Sequence, residues 1–249
     1  MSKVNPYIFR EYDIRGLADK DLPDKSVRLI GQAFGTMIKR QGGRKVTVGH
    51  DVRLSGPRIN PILIEGIRST GLDVLDIGKV ATPVFYYSIG ALEAQGGVMI
   101  TASHNPPEYN GFKMCKGVDA LYGKEIQSLL HLIEKDEFEE GEGGLERADI
   151  DERYMEDLTA PFNFKGDLKV LLDCGNGSAG IYARRIFEKC GFDADILFEK
   201  PDGKFPNHIA DPTVEKNIEE LRRRVTEEKY DIGIGFDGDV DRIGVVDAQ

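Results

Sequence analysis

Apolar positions along this chain alternate between two periods. Val27, Ile30, Phe34, Met37 and Ile38 recur at helical spacing, behind Asp24 or Ser26 as an N-cap. Lys45-Val46-Thr47-Val48-Gly49 then reads as a short buried strand. Ser55-Gly56-Pro57 opens a second helix, which carries Ile62, Ile64 and Ile67 and runs up to Gly71. Strands are predicted at 73–77 and 97–101. The pattern lapses over 134–152, where Glu, Asp and Gly dominate. A helix begun at Lys124-Glu125-Ile126 ends there, and the rest is predicted to be a solvated connection. The plan then repeats. A strand at 168–173 leads through a glycine turn into a helix over 179–190, with Ile181, Ile186 and Phe187 on its apolar side. A strand at 194–198, a helix marked by Val214, Ile218, Leu221 and Val225, and a strand at 231–236 follow. The expected class is α/β, with two similar mixed α/β domains, residues 1–150 and 151–249, each a sheet flanked by helices. The repeated order suggests an internal duplication, although residue identities barely match.

Composition narrows the partners. With 249 residues, 40% hydrophobic and 31% charged, the chain has room for two domains with their own cores. A formal net charge of −10 argues against nucleic acid and anionic membrane as partners, but leaves room for a local basic pocket. Cys115, Cys174 and Cys190 are odd in number and lack CxxC spacing, which argues against a disulfide framework or structural zinc site and for a reducing cytoplasm. The first ten residues are broken by charge and proline, unlike a signal peptide. No apolar run approaches the ~20 residues needed to cross a bilayer.

Three segments carry residue types that do chemistry. Thr101-Ala102-Ser103-His104-Asn105-Pro106-Pro107 follows an apolar strand, and its prolines hold the preceding backbone extended. This predicts an exposed, rigidly presented Ser103 hydroxyl, with His104 as a candidate base and Lys113 as a candidate phosphate partner. The side chains of Ser103 and His104, being neighbours along the chain, are expected to point in different directions. Local physics alone also fits a turn in which these side chains only bond the backbone. In the second segment, Asp237, Asp239 and Asp241 follow a strand at alternate positions. Such a set suits a hard divalent cation, whose charge offsets their mutual repulsion. An EF-hand is excluded, because Arg242 and Ala248 stand where Gly and Glu are required. An Asp-Gly hairpin turn between 231–236 and 243–247 accounts for one aspartate but not three. The third segment, Gly175-Asn176-Gly177-Ser178-Ala179-Gly180, is a literal GxGxxG between strand and helix, with Asp195 and Glu199 some twenty residues on. Asp173 counts against a dinucleotide there, since its carboxylate would approach a pyrophosphate, and a tight turn needs glycines without any ligand.

Together these segments resemble the α-D-phosphohexomutase superfamily, in the form of its phosphomannomutase/phosphoglucomutase branch. FREYDIRG at 9–16 is similar to the N-terminal active-site segment, TASHNPPEYNGFK at 101–113 to the phosphoserine loop, DCGNGSAG at 173–180 to the second-domain opening, and 237–242 to the metal loop. The resemblance implies that Ser103 carries the phosphoryl group. Asp237, Asp239 and Asp241 would bind Mg²⁺ together with an oxygen on Ser103. Tyr12, Arg15, Lys113 and Arg242 would line the substrate site, and His104 would assist as acid or base. The implied reaction moves phosphate between the 1- and 6-positions of mannose or glucose through a hexose 1,6-bisphosphate, with glucose 1,6-bisphosphate as activator. Members of the family have four domains. This chain would therefore hold the first two and lack C-terminal domains 3 and 4. It would bind metal weakly, turn over hexose phosphates slowly or not at all, and self-associate through an exposed face. One departure stands out: Val240 occupies a position more usually Gly, so a loop needing φ > 0 there would be strained. The alternatives are a haloacid-dehalogenase-like phosphotransferase using Asp237, a dinucleotide-binding domain using Gly175–Gly180, and a non-catalytic interaction domain.

Overall fold

The computed structural model describes residues 4–162, 164 and 166–248. Residues 1–3 and 249, the outer ends of the two expected domains, lie outside the described residues. In chain order the first sheet and its helices are β1 (Ile14–Leu17), α1 (Asp24–Arg40), β2 (Lys45–His50), α2 (Gly56–Arg68), β3 (Asp73–Lys79), α3 (Thr82–Ala91), β4 (Gly96–Ile100), β5 (Tyr109–Lys116), β6 (Asp119–Ala120), α4 (Lys124–Lys135) and β7 (Leu145–Arg147). The helix α5 (Asp151–Thr159) follows. The second sheet and its helices are β8 (Val170–Asp173), α6 (Ala179–Lys189), β9 (Asp195–Leu197), α7 (Glu219–Glu227), β10 (Ile232–Phe236) and β11 (Ile243–Val246).

The seven-stranded sheet runs β1-β5-β4-β2-β3-β7, with β6 on β5, and the four-stranded sheet runs β11-β10-β8-β9. Within the first, β2 is parallel to β3 and β4, and β4 is antiparallel to β5. Within the second, β8 is parallel to β9 and β10, and β10 is antiparallel to β11. One four-strand unit thus occurs twice, in the same order and with the same directions. This repeated topology supports the internal duplication. It also makes the Ser103 loop, between β4 and β5, the topological counterpart of the Asp237–Arg242 loop, between β10 and β11.

The helical period of α1 buries Val27, Ile30, Phe34 and Ile38 against Ile59, Leu63 and Ile67 of α2. A face of this kind, not intrinsic propensity, holds a helix of this length in place. Several expectations are corrected. Asp24 is the first helical residue and caps nothing; Pro23 precedes it without a side-chain cap. In α2 the buried stripe is Ile59, Leu63, Ile64 and Ile67, with Ile62 only partly buried. The helix expected from Val214 starts as a 3₁₀ turn, Glu215–Ile218, and becomes α-helical only at Glu219, while Val214 itself is exposed. The stretch over 134–152 contributes β7, an edge strand parallel to β3 whose side chains are all exposed. Its backbone bonds need no apolar side chains, so hydrophobicity gives no sign of it.

The helix α3 was not foreseen. Val84, Phe85 and Ile89 are buried while Tyr86 and Tyr87 are partly buried, so apolar residues surround it with no polar stripe to set the period. It lies between the two sheets. Its cluster takes in Met99 of β4, Ile150, Met155 of α5 and Tyr182 of α6, with Val240 packed against it. Among the described residues no helix is long and apolar enough to cross a membrane.

Candidate active site

The two equivalent loops meet face to face. Ser103 has φ of +52°, in the left-handed region, and is only 2% exposed. The expectation of an exposed hydroxyl is therefore wrong. Gly238 of the opposing loop lies on the Ser103 carbonyl so closely that a Cβ there would stand 2.5 Å from the oxygen. Glycine is required by that approach. The Ser103 hydroxyl donates to Asp237 Oδ2 at 2.5 Å, and His104 Nδ1 lies 3.2 Å from the same Oγ. The left-handed backbone turns the two neighbouring side chains together, against the expectation that they diverge.

The aspartate loop is a dense charge cluster. Asp237 and Asp239 are both fully buried. Asp237 Oδ1 accepts the backbone N–H groups of Asp241 and Arg242 at 2.8 and 3.0 Å. Asp239 Oδ2 accepts Thr82 Oγ1–H at 2.7 Å and Lys113 at 2.8 Å, and Lys113 also reaches Asp241 Oδ2 at 2.7 Å. Burial and the neighbouring Asp239 charge push the Asp237 carboxyl up to about 7, although the Ser103 hydroxyl opposes this. Burial acts the same way on Asp239, but Lys113 and Thr82 outweigh it and hold that carboxyl below its ordinary value. Burial alone would lower Lys113, yet Asp239 and Asp241 keep it above its usual range. Lys113 thus ties Asp239 to Asp241. Among the described residues no three His, Cys, Asp or Glu side chains converge as a ready metal cage.

A cleft of ≈ 480 Å³ opens over this floor. Tyr12, Arg15, Ser103, Lys113, Asp241 and Arg242 line it, so it gathers most of the sequence-predicted residues. Arg15 sits on β1, brought there by its pairing opposite Gly111 of β5. Its Nη1 donates to Asn105 Oδ1 at 2.6 Å, Nη2 pairs with Asp13, and its Nε is buried with no partner among the described residues. Tyr12 is 75% exposed at the rim. His104 lies beside Ser103, where burial and the Arg242 charge hold its imidazole below the usual range. Arg10 and Tyr86 also line the cleft and were not predicted. Burial pushes the Tyr86 phenol up to about 12, so it stays protonated. Thr82 was missed as well, together with a buried Asp51–Arg53 ion pair beneath the Ser103 loop.

Both halves of the chain match a known family. The model of phosphoglucomutase/phosphomannomutase α/β/α domain I matches residues 6–140, and that of domain II matches 152–249. The chain belongs to the phosphoglucomutase/phosphomannomutase family. A phosphomannomutase/phosphoglucomutase of Pseudomonas putida is 43% identical over 96% of this chain and 52% of its own length. A phosphoglucomutase of Neisseria meningitidis is 40% identical over 99% of the chain and 54% of its own. The crystal structure of a phosphoglucomutase/phosphomannomutase family protein from Burkholderia thailandensis superposes with a TM-score of 0.94 at 40% identity, covering 98% of this chain and 55% of that one. The chain therefore spans about half the length of the curated relatives it matches.

Family membership disfavours the dinucleotide reading, and the geometry says why. A Cβ on Gly180 would lie 1.7 Å from the Glu199 carbonyl, so that glycine is spent on packing. The Ser178 N–H at the start of α6, which would face a pyrophosphate, donates instead to the Gly238 carbonyl at 2.9 Å.

Val240 does adopt φ of +68°. A β-branched residue there is strained by about 1–3 kcal/mol. Its side chain packs against both the interdomain cluster and the second-domain core. Val240→Ala should lose that packing while keeping most of the strain, whereas Val240→Gly should lose the packing and relieve the strain. Urea unfolding is therefore expected to rank the glycine variant above the alanine variant by about 0.5–1 kcal/mol, the reverse of their usual order. An alanine variant as stable as the glycine variant would show that Val240 is not strained.

Proposed function

We propose that this chain carries the phosphoserine and metal loops of a phosphohexomutase that interconverts hexose 1-phosphate and hexose 6-phosphate, with mannose or glucose as the sugar. The contact between Ser103 Oγ and Asp237 Oδ2 carries the reading, because it joins the two loops across the domain boundary. In the proposed cycle a sugar hydroxyl forms a bond to phosphorus as the P–Oγ bond breaks, giving a hexose 1,6-bisphosphate and free Ser103. The sugar hydroxyl gives up its proton as Oγ gains one, and neutral His104, beside Oγ, relays the proton between the two oxygens. The bisphosphate turns over and returns its other phosphate to Ser103. Arg15, Lys113 and Arg242 offset the charge that spreads over the transferring oxygens. Glucose 1,6-bisphosphate, which primes unphosphorylated Ser103, fits as activator.

The residues suit Mg²⁺. The donors are all hard oxygens, Asp239 Oδ1 is buried with no hydrogen-bond partner among the described residues, and Asp237 is crowded by like charge. Asp237, Asp239, Asp241 and an oxygen on Ser103 would hold it, and bound metal would supply charge stabilisation at the phosphoryl group. A cytoplasmic setting fits sugar phosphate chemistry. Exposed Ile243 and Val245 on the edge strand β11 support self-association.

Mixing unphosphorylated chain with glucose 1,6-bisphosphate and Mg²⁺ should release close to one equivalent of glucose monophosphate per chain and then stop. Release of inorganic phosphate in many turnovers would instead favour the haloacid-dehalogenase-like reading.

A further inference from the structure

Granting Ser103 as the phosphoryl carrier, we propose that Asp51, Arg53 and Thr101 are positioning residues: together they lock the backbone that aims Ser103 Oγ at Asp237.

Arg53 follows the end of β2, next to β4 in the sheet, so the topology brings it beneath the Ser103 loop. Its side chain is completely buried, as is that of Asp51. All five of its N–H donors are used. Nε bonds Asp51 Oδ2 at 3.2 Å. Nη1 donates to the carbonyls of Pro106 and Tyr109 at 2.6 and 3.0 Å. Nη2 donates to those of Ser103 and Asn105 at 2.8 and 2.6 Å. Four of the five bonds therefore go to the backbone of residues 103–109, the loop and the first residue of β5, and the planar fork of a guanidinium is the side chain that can gather them.

The other side of Ser103 is tied to the same pair. Its N–H donates to Thr101 Oγ1 at 2.9 Å, and that hydroxyl donates to Asp51 Oδ2 at 2.8 Å. The N–H and C=O of Ser103 thus both end on one buried ion pair. These are the two groups that fix its left-handed conformation, which a non-glycine residue does not favour by itself. Were Ser103 to relax to negative φ, Oγ would swing away from Asp237 and His104. Phe205 of the second domain covers the guanidinium, with the ring centroid 5.3 Å from Cζ, which shields the pair from water. A buried ion pair is seldom the cheapest way to fill a core. This one spends its bonds on the loop.

The test uses Thr101→Val, which removes the hydroxyl at nearly constant shape, Thr101→Ser, which restores it, and Arg53→Lys, which offers three donors without the fork. Two readouts are taken on each folded variant: hydrogen exchange of the Ser103 amide by NMR, and the single-turnover rate of phosphoryl uptake from glucose 1,6-bisphosphate with Mg²⁺. Thr101→Val is expected to speed Ser103 exchange and to slow uptake by about 10- to 100-fold, with half-saturating bisphosphate unchanged. Thr101→Ser should return both to near the wild-type values, and Arg53→Lys should slow uptake at least as much as Thr101→Val. If Arg53→Lys does not fold, the two Thr101 variants decide. Wild-type exchange and uptake in folded Thr101→Val would overturn the proposal. If wild-type protein takes up no phosphoryl group, the phosphohexomutase reading fails. The positioning claim is then judged by exchange alone: faster Ser103 exchange in Thr101→Val sustains it, and unchanged exchange sinks it.

Discussion

Ser103→Ala is expected to abolish phosphoryl uptake from glucose 1,6-bisphosphate while leaving the fold almost untouched. The chemical loss should be complete, because no other hydroxyl among the described side chains donates to Asp237. The structural loss should be small. The hydroxyl makes one buried hydrogen bond, worth about 0.5–1.5 kcal/mol net. The carboxyl it leaves behind is already pushed up to about 7 and can take its own proton. Alanine also keeps the packing beneath Gly238. A melt within a few degrees of wild type, beside an uptake signal at background, is the expected pair of results. Uptake that persists in Ser103→Ala would move the nucleophile elsewhere, with Asp237 the first candidate.

Asp239→Asn is the second large effect, and it should appear in three measurements. Uptake should fall by about 10²–10³, since one charged group of a preorganised phosphoryl site is removed. The stabilisation given by Mg²⁺ should largely vanish, because the unpaired buried Oδ1 loses its charge. The third effect is on the pH dependence of the metal-free protein. Asp237 binds its proton more tightly in the folded state, about 7 against an ordinary 3.8. Its contribution to stability is therefore fully present below the unfolded pKa and is lost as pH rises through about 7. Between pH 6 and 8 wild-type protein should lose on the order of 1 kcal/mol from this group. Burial, the larger cause of the raised Asp237 carboxyl, remains in Asp239→Asn, but neutral Asn removes the repulsion that adds to it, so the slope should flatten in part. Magnesium should correspondingly stabilise wild type more at pH 8 than at pH 6, where it must displace the proton. A slope unchanged in Asp239→Asn, by urea unfolding across that range, would show that Asp239 does not set the Asp237 proton affinity.

The parts of this molecule that are legible in its sequence are those where side-chain chemistry follows local periodicity. The apolar runs of β2, β3, β4, β8 and β10 and the stripe of α1 read directly as elements. The aspartate loop reads as a charge problem that needs a cation. What escapes is set by the backbone or by distant contacts. β7 is held by strand pairing alone, with every side chain exposed. α3 is wrapped by both domains and so lacks an amphipathic period. Ser103 reads as exposed because nothing local announces that Gly238, 135 positions on, will cover it. Asp51 and Arg53 fall between the strand expected at 45–49 and the helix expected from Ser55, outside either periodic pattern. The available signal was topological: their segment follows a buried strand and can lie beside the Ser103 loop wherever two parallel strands end together.

In the proposed mutase, Ser103 carries the phosphoryl group in a site completed across the domain boundary by Asp237. Peptide mapping by mass spectrometry, after wild-type chain meets glucose 1,6-bisphosphate and Mg²⁺, tests it most directly. The expected result is a single added phosphoryl group, confined to the peptide that contains Ser103 and assigned to that residue by fragmentation. A phosphoryl group found on Asp237, or on any residue other than Ser103, would contradict it.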